Sequence, residues 1–320
     1  MQDFDVFNGD ADGICSLLQL RQVEPRDAIL VTGVKRDISL LNRVAAGPGD
    51  RVTVLDIAVE KNQPALDRLL ADDVDVFYVD HHNPGTLPTA PGLESVINTS
   101  PEVCTSALVN GYLSGAAVEW AVVGCFGDNL DSTAERLAAT LEFRPDLAVW
   151  RELGILMNYN AYGAQVSDLH FPPDELFRRL LPHATPDACF HDEPEIFDVL
   201  RAGYRDDMRR SGDADKLLDE PSVAILALPD EAWARRVSGV LGNQLTQEHP
   251  DRAHAILTQR KGGYLVSVRA PLNRRTGADD VCRSFETGGG RSAAAGINHL
   301  PESDVPRFIQ VFRGHYEKQA

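Results

Sequence analysis

Cysteine is scarce in this sequence and is not arranged for metal or disulfide chemistry. The chain has 320 residues, and its five cysteines are Cys15, Cys104, Cys125, Cys189 and Cys282. They are odd in number, scattered, and form no C-x-x-C pair, so they indicate neither a disulfide framework nor a thiolate zinc site. The first residues also lack the basic start and apolar stretch of a secretory signal. We therefore expect a cytoplasmic protein.

Long apolar runs are also missing. The most apolar segment, Ala107 to Phe126, is interrupted by Asn110, Glu119 and several glycines, which makes it a poor membrane span. It predicts instead a pair of buried helices, and we expect no membrane partner.

Positive charge is the third shortage. The chain has 31 Lys+Arg against 48 Asp+Glu, a formal net charge of −17. Because nonspecific nucleic-acid affinity comes mainly from phosphate neutralisation, such a chain repels long polyanions unless basic groups are gathered locally. Short oligonucleotides or small phosphorylated nucleotides are therefore favoured as substrates over long nucleic acid. The sequence leaves the oligomeric state open.

The order of the predicted elements indicates an α/β protein with two domains. Up to about residue 100, short β-rich runs alternate with helical stretches, which is typical of a parallel sheet wound with helices. The predicted strands are Phe4–Phe7, Ala28–Val34, Arg51–Ile57, Val74–Val79 and Glu94–Asn98. Residues 104 to about 180 are mostly helical in pattern.

A proline-rich polar segment, Leu181 to Pro194, predicts a boundary. A connecting helix over Glu195–Arg210 follows, and a second β-rich region starts at Ser222. We expect a catalytic domain at 1–187, a linker at 188–219 and a smaller α/β domain at 220–320, with the active-site cleft between the two domains.

Three acidic clusters end three of the predicted strands. They are Asn8-Gly9-Asp10-Ala11-Asp12-Gly13, the single Asp56, and Asp80-His81-His82. Loops at the carboxyl ends of neighbouring strands converge in an open α/β sheet, so these side chains can meet in space. Carboxylates that close repel one another unless cations lie between them. The combination predicts a metal centre, and the chemistry that such a centre most often serves is metal-assisted hydrolysis of a phosphate ester.

Each cluster has a plainer interpretation when taken alone. Asp10 and Asp12 are typical of a surface turn or a calcium loop, but the glutamate that closes an EF-hand is absent from the required position. Asp12 is also a candidate N-cap of the helix that follows it. The mixture of carboxylates and imidazoles suits Mn²⁺, with Mg²⁺, Co²⁺ or Fe²⁺ as alternatives, because structural zinc favours thiolates.

Taken together, these motifs resemble the DHH phosphoesterase family, which is named after the triplet at Asp80-His81-His82. The resemblance adds Asp128 as a fourth acidic motif, and it extends to a C-terminal glycine-rich motif at Gly288-Gly289-Gly290-Arg291. It implies two manganese ions bridged by Asp56, with water activated between them. Further ligands implied by it are Asn8 and Asp10 for the first ion, and Asp12, His81 and Asp128 for the second. Asp80 and His82 would act beside the ions, as ligand support or phosphate contacts.

Two positions depart from the pattern of the family. Asn8 stands where relatives of this type often have an acid, which would weaken the first metal site. Arg291 stands where relatives commonly have histidine, and a guanidinium there still suits a phosphate.

The glycine-rich motif predicts a substrate site in the second domain. Gly288, Gly289 and Gly290 allow close approach of a ligand, and the residues after them have the pattern of a helix start, although a plain turn before a packed helix also fits. No Walker sequence and no G-x-G-x-x-G is present. With the family resemblance, Arg269 and Arg291 are the expected substrate contacts.

The resulting hypothesis is a metal-dependent phosphoesterase that hydrolyses short nucleotide substrates by two-metal activation of water. The substrate classes that the resemblance suggests are short RNA oligonucleotides, phosphoadenosine phosphate and dinucleotides. One alternative is a 5′ exonuclease of the RecJ type acting on single-stranded DNA. Another is a nucleotide-binding sensor with weak catalysis, for which Asn8 is the sequence hint.

Overall fold

The computed structural model describes residues 1–317 of the chain. These residues form two compact units, the first covering Met1–Ala202 and the second beginning at Gly203. The last three residues of the predicted second domain, 318–320, lie outside the described part. The finer domain boundaries stay a prediction.

The first unit is built on a parallel sheet. Its strands are β1 (Asp3–Phe7), β2 (Ala28–Val31), β3 (Arg51–Leu55), β4 (Asp75–Asp80) and β5 (Leu93–Ile97). They lie in the order β2-β1-β3-β4-β5, and every neighbouring pair is parallel. The α/β class and these five strands are therefore confirmed, although β2 ends three residues earlier than predicted.

Nine α-helices begin among residues 1–202, all of which the structure describes. They are α1 (Ala11–Val23), α2 (Val59–Ala71), α3 (Thr105–Tyr112), α4 (Val118–Gly127), α5 (Asp131–Ala138), α6 (Leu147–Ala161), α7 (Pro173–Leu180), α8 (Pro186–Asp192) and α9 (Pro194–Ser211). The predicted buried pair over Ala107–Phe126 corresponds to α3 and α4, and the predicted connecting helix corresponds to α9. None of the helices within residues 1–317 is both long and apolar enough to cross a membrane.

The proline-rich segment before α9 is more helical than its composition predicts. Pro186 and Pro194 are the first residues of α8 and α9. A proline is tolerated at that position because its missing N–H has no partner in the first helical turn. The side chain of Thr185 caps α8 by accepting a hydrogen bond from the backbone N–H of Ala188 at 3.1 Å. These prolines therefore start helices instead of marking an extended loop.

Helices of the first unit pack unusually closely where glycines lie between them. Gly127 of α4 lies so near α1 that a Cβ built on it would be 2.3 Å from the Cβ of Ala11. α1 is buried on nearly all sides as a result, from Ala11 to Arg21. The helix that carries the first acidic motif is thus held between the sheet and other helices.

The second unit contains a mixed six-stranded sheet. Its strands are β6 (Asp215–Asp219), β7 (Val223–Leu228), β8 (Ala253–Arg260), β9 (Gly263–Arg269), β10 (Gly288–Gly290) and β11 (Ala294–Pro301), in the order β10-β11-β9-β8-β7-β6. Only β7 and β8 are a parallel pair among the described strands of this sheet. Its helices are α10 (Ala232–Glu248), α11 (Ala278–Arg283) and α12 (Val305–Glu317). Phe308, Phe312 and Tyr316 of α12 join the core of this unit.

Candidate metal centre

The acidic motifs of the first unit meet at one edge of its sheet. Strands β1, β3 and β4 are neighbours, and their carboxyl ends are in register: Phe7 pairs with Leu55, and Leu55 pairs with Val79, one residue before the end of β4. The three motifs therefore leave the sheet side by side. The convergence that the sequence predicts is present in the structure.

The first motif makes a tight turn from β1 into α1. Asp10 is the N-cap of α1, because its side chain accepts a hydrogen bond from the N–H of Gly13 at 3.1 Å. Gly13 is required there, since a Cβ on it would lie 2.2 Å from the carbonyl oxygen of Asn8. The prediction that Asp12 caps this helix is wrong, because the helix starts two residues earlier than expected, at Ala11.

Asp12 instead binds the N-terminus of another helix, α3. Its carboxylate accepts hydrogen bonds from the backbone N–H of Thr105 at 2.8 Å and of Ser106 at 2.7 Å. The hydroxyl of Ser106 donates a third, at 2.6 Å. The N-terminus of α3 is thereby attached to the first motif. Free N–H groups in a first helical turn favour this negative charge.

Asp56 lies at the centre of the cluster in an uncommon backbone conformation. Its φ is 59°, in the left-handed region that non-glycine residues adopt rarely and that concentrates at functional sites. The side chain is 3% exposed, and one of its oxygens lies 3.4 Å from Nε2 of His81 and 3.8 Å from Nδ1 of His82. Thr105 donates a hydrogen bond to the same oxygen at 3.3 Å.

Each histidine of the triplet is oriented by an oxygen atom behind it. Nδ1 of His81 lies 3.0 Å from the carbonyl oxygen of Val103, so it carries the proton of this hydrogen bond. Nδ1 of His82 lies 2.8 Å from Oδ1 of Asp80. Carbonyl and carboxylate partners of this kind are what orient metal-binding histidines in proteins.

The geometry of the cluster fits a divalent cation. With the proton of Nδ1 directed at Val103, His81 directs Nε2 toward oxygens of Asp56 and Asp12, at 3.4 and 3.8 Å. Such an arrangement repels unless a proton or cation lies between the atoms. Asp56, His81 and His82 each offer a ligand atom within 4.8 Å of the others. These three residues can hold a metal ion, which suits imidazole and carboxylate ligands together.

Burial and mutual repulsion shift the titration of the acidic groups. Burial raises the pKa of Asp56 well above its usual range, and the charges of Asp10 and Asp12 add to the effect. Burial also raises the pKa of Asp12. Burial alone would raise the pKa of Asp10 too, but the nearby Lys35 ammonium outweighs it and the pKa is lowered. Burial lowers the pKa of His82, yet Asp80 and Asp56 outweigh it and the net shift is upward.

Lys35 is the functional-site residue that the sequence did not predict. It follows β2, the strand beside β1, and its ammonium forms an ion pair with Asp10. Its position at the carboxyl end of a neighbouring strand was the available signal. A lysine ammonium does not bind metal ions, however, so a prediction based on metal-ligating residue types does not include Lys35.

Asp128 lies close enough to act on the same groups. It directly follows α4, and its charge contributes to raising the pKa of Asp12 and of Lys35. The structure thus places all of the predicted metal ligands in this region of the first unit. Their individual roles stay predictions.

No family model matches the sequence, and no curated protein matches it either. The structure, by contrast, aligns with solved structures along nearly its whole length. A DHH-domain member of the s1p family of ribosomal proteins aligns with a TM-score of 0.69 at 12% identity, covering 98% of this chain and 86% of that one. The exonuclease RecJ bound to manganese aligns with a TM-score of 0.58 at 18% identity, covering 99% and 90%. The chain has the fold of DHH-domain proteins.

A third structure with the DHH fold matches from end to end. It is PggH from Vibrio cholerae, a pGpG-specific phosphodiesterase, with a TM-score of 0.55 and 14% identity over 100% of both chains. The resemblance that the sequence motifs suggest is thus confirmed as a likeness of fold.

The predicted substrate residues of this DHH-fold chain lie in the second unit. Arg269 is the last residue of β9, and its guanidinium donates hydrogen bonds to Oδ1 of Asn243 at 2.6 Å and to the carbonyl oxygen of Gly239 at 3.4 Å. The side chain is therefore held against α10. Its contact with a substrate stays a prediction.

The glycine-rich motif forms a hairpin, and the helix start expected after it is wrong. Gly288, Gly289 and Gly290 make up β10, which pairs antiparallel with β11. Arg291 lies in the turn, where its N–H donates to the carbonyl of Ala294 at 2.9 Å and that of Ala294 returns a bond at 3.1 Å. Ala294 and Ala295 begin β11, where pairing with β10 and β9 supplies the backbone partners that a helix would otherwise provide.

Proposed function

We propose that this chain is a divalent-metal-dependent phosphoesterase acting on short nucleotide substrates. The observation that carries the proposal is the group Asp56, His81 and His82, whose ligand atoms lie within 4.8 Å of one another at the sheet edge. The DHH fold supports it, because the exonuclease RecJ bound to manganese and the pGpG-specific phosphodiesterase PggH have the same fold.

A bound divalent ion would supply the chemistry, by lowering the pKa of water and neutralising charge on phosphoryl oxygens. The chain contributes position and orientation. Asp56 and the side chain of His81, 3% and 4% exposed, would hold the ion from the protein side. His82 is 38% exposed and is oriented by the fully buried Asp80. A phosphate ester can therefore reach the ion on the His82 side, which is the exposed side of the centre.

The fit of a cation is supported by one further buried atom. Oδ2 of Asp80 is buried and has no hydrogen-bond partner within the described part of the chain. A buried carboxylate oxygen without a donor is costly. We assign Asp80 the role of orienting His82 and adding negative charge behind the cation. Mn²⁺ is the proposed ion, with Mg²⁺ or Co²⁺ as substitutes.

The negative net charge of the chain supports a small substrate over a long nucleic acid. A formal net charge of −17 disfavours long polyanions, which bind mainly through phosphate neutralisation. We propose Arg269, Arg291 and the glycines of β10 as the groups that bind the anionic end of the substrate. Arginine suits this task because its planar fork matches phosphate oxygens.

The test is hydrolysis of a 5′-labelled oligonucleotide series, from a dinucleotide to about a thirty-mer, with Mn²⁺ and after chelation. We expect metal-dependent turnover that is fastest for the shortest members. The variant Asp56→Asn, purified identically, excludes a contaminating nuclease. Preference for the longest members would favour an exonuclease of long single strands. Tight binding without turnover of any member, phosphoadenosine phosphate and cyclic dinucleotides included, would contradict the proposal and favour a sensor.

A further inference from the structure

Lys35 brings a positive charge into the acidic cluster from the loop after β2. Its ammonium is paired with Oδ2 of Asp10 and donates a hydrogen bond to Oδ1 of Asn158 at 2.9 Å. It also lies 5.5 Å from the ring centroid of Tyr162. The lysine side chain is 23% exposed and that of Asp10 is 4% exposed. A carboxylate, an amide oxygen and an aromatic face are three kinds of group that stabilise a cation.

The backbone of this lysine is fixed as well as its ammonium. Its N–H donates to the carbonyl of Ala161 at 2.9 Å. Nδ2 of Asn8 donates to the carbonyl of Lys35 at 3.3 Å, while Oδ1 of Asn8 accepts from the N–H of Asp10 at 3.3 Å. Asn8 therefore ties the lysine loop to the first motif. A carboxylate at position 8 has no proton to donate to that carbonyl.

Asp10 lies beside Asp56 but is not one of the residues whose ligand atoms form the close metal group. Within residues 1–317, the one set of side chains whose ligand atoms approach closely enough to hold an ion is Asp56, His81 and His82. Asp10 is bound instead by Lys35 and by the N–H of Gly13. The first of the two ions implied by the family resemblance was to bind at Asp10, where the structure has an ammonium.

We propose that the Lys35 ammonium takes the place of one of two divalent ions, so that the centre binds a single ion at Asp56, His81 and His82. This inference rests on the proposed metal-dependent function. An ammonium is a compact positive charge that can neutralise a carboxylate or a phosphoryl oxygen. It has no open coordination position, so the activation of water falls to the single ion.

The test is a count of bound Mn²⁺ per chain, by equilibrium dialysis followed by elemental analysis, with the full-length protein. We expect one ion for the wild type. Lys35→Met keeps the length of the side chain, removes the charge and leaves Asp10 free, so this variant should bind two ions. Lys61→Met, which changes an exposed lysine of α2, should still bind one.

Electron paramagnetic resonance of the wild type loaded with Mn²⁺ provides a second measurement that needs no variant. An isolated Mn²⁺ signal is expected, whereas the signal of a magnetically coupled pair would overturn the proposal. Two ions in the wild type, or a single ion in folded Lys35→Met, would also overturn it. If the wild type binds no ion, the proposed metal-dependent function fails with it. One bound ion without hydrolysis of any substrate would contradict only the proposed function.

Discussion

Asp56 combines more constraints than any other residue of the candidate centre. It adopts a left-handed backbone conformation, its side chain is almost fully buried, and it faces both histidines of the triplet. Buried carboxylates that repel one another reduce the stability of a fold in the absence of cations. We therefore expect Asp56 to lower the stability of the metal-free protein and to bind a cation in the metal-loaded protein.

Replacing the Asp56 carboxylate should therefore raise the stability of the metal-free protein while weakening metal binding. We expect Asp56→Asn to stabilise the metal-free chain by about 1 kcal/mol, a rise in Tm of roughly 2–4 °C, because one buried charge is removed. The same variant should bind Mn²⁺ at least about tenfold more weakly. Thermal unfolding with Mn²⁺ and with a chelator measures both effects.

Asp73 offers a matched control for this substitution. It is an exposed aspartate that also has a left-handed φ, 58°, but lies outside the centre. Asp73→Asn should leave Mn²⁺ binding unchanged. If Mn²⁺ stabilises Asp56→Asn as much as the wild type, the assignment of this residue as a ligand is wrong.

Helix packing determines whether the first motif reaches the other two. α1 begins at this motif, and α4 contacts α1 through Gly127 with no room for a side chain. α3 is attached to the motif through Asp12. The position of the acidic cluster thus depends on three helices as well as on the sheet.

A methyl group at Gly127 should push α1 and α4 apart. We expect Gly127→Ala to lower the free energy of unfolding by about 1–3 kcal/mol, because the added Cβ would lie 2.3 Å from that of Ala11. Gly111→Ala, at a position of α3 with no heavy atom near the added Cβ, should instead raise it by about 0.5–1 kcal/mol through helix propensity. Urea titration of the three proteins compares them, and equal effects of both substitutions would contradict the packing argument.

The two units of the chain should respond to different solution conditions. The first contains the whole candidate centre and should be stabilised by metal, since a ligand that binds only the folded state favours it by mass action. The second contains His254, which is 1% exposed in β8. Burial, with the charges of Arg252 and His249, lowers the pKa of His254 from 6.5 to about 4.

Acid should therefore destabilise the second unit through this histidine. Between pH 6.5 and about 4 the unfolded state binds a proton that the folded state does not. The stability contributed by neutral His254 is complete above pH 6.5 and is lost as the pH falls to about 4, an effect of roughly 2–3 kcal/mol.

Urea unfolding of the full chain at a series of pH values, followed by NMR signals of β7, β8 and β9, measures this loss. His254→Leu should remove most of the pH dependence in that range. His299→Leu, at an exposed position of β11, should keep it. Equal pH dependence of the wild type and His254→Leu would show that other groups are responsible.

The sequence predicted the elements whose patterns are local. The strands of the first unit, the helices α3, α4 and α9, and the meeting of three acidic motifs follow from apolar runs and from the rule that parallel strands share an edge. The sequence predicted that Asp12 belongs to the site, but not that Thr105 and Ser106, more than ninety residues away, donate hydrogen bonds to it. The hydrophobic periodicity of a sequence does not indicate hydrogen bonds between residues so far apart.

Two other features depend on neighbours that the sequence does not reveal. The alanines after Gly290 have a helical pattern, and pairing with β10 and β9 overrides it, as tertiary contacts often override propensity. Lys35 joins the centre through one hydrogen bond that its carbonyl accepts from Asn8 and another that its ammonium donates to Asn158, and these asparagines lie on separate parts of the chain.

The Lys35–Asp10 ion pair has a consequence for a cell that is short of metal. A covalently attached ammonium keeps the same effective concentration at any dilution, and no chelator can withdraw it. A stripped centre would therefore retain part of its positive charge, and reloading would require a single encounter with a free ion. The rate at which the metal-loaded centre re-forms would then rise in proportion to the free metal concentration. A centre that must bind two exchangeable ions would depend on that concentration more steeply.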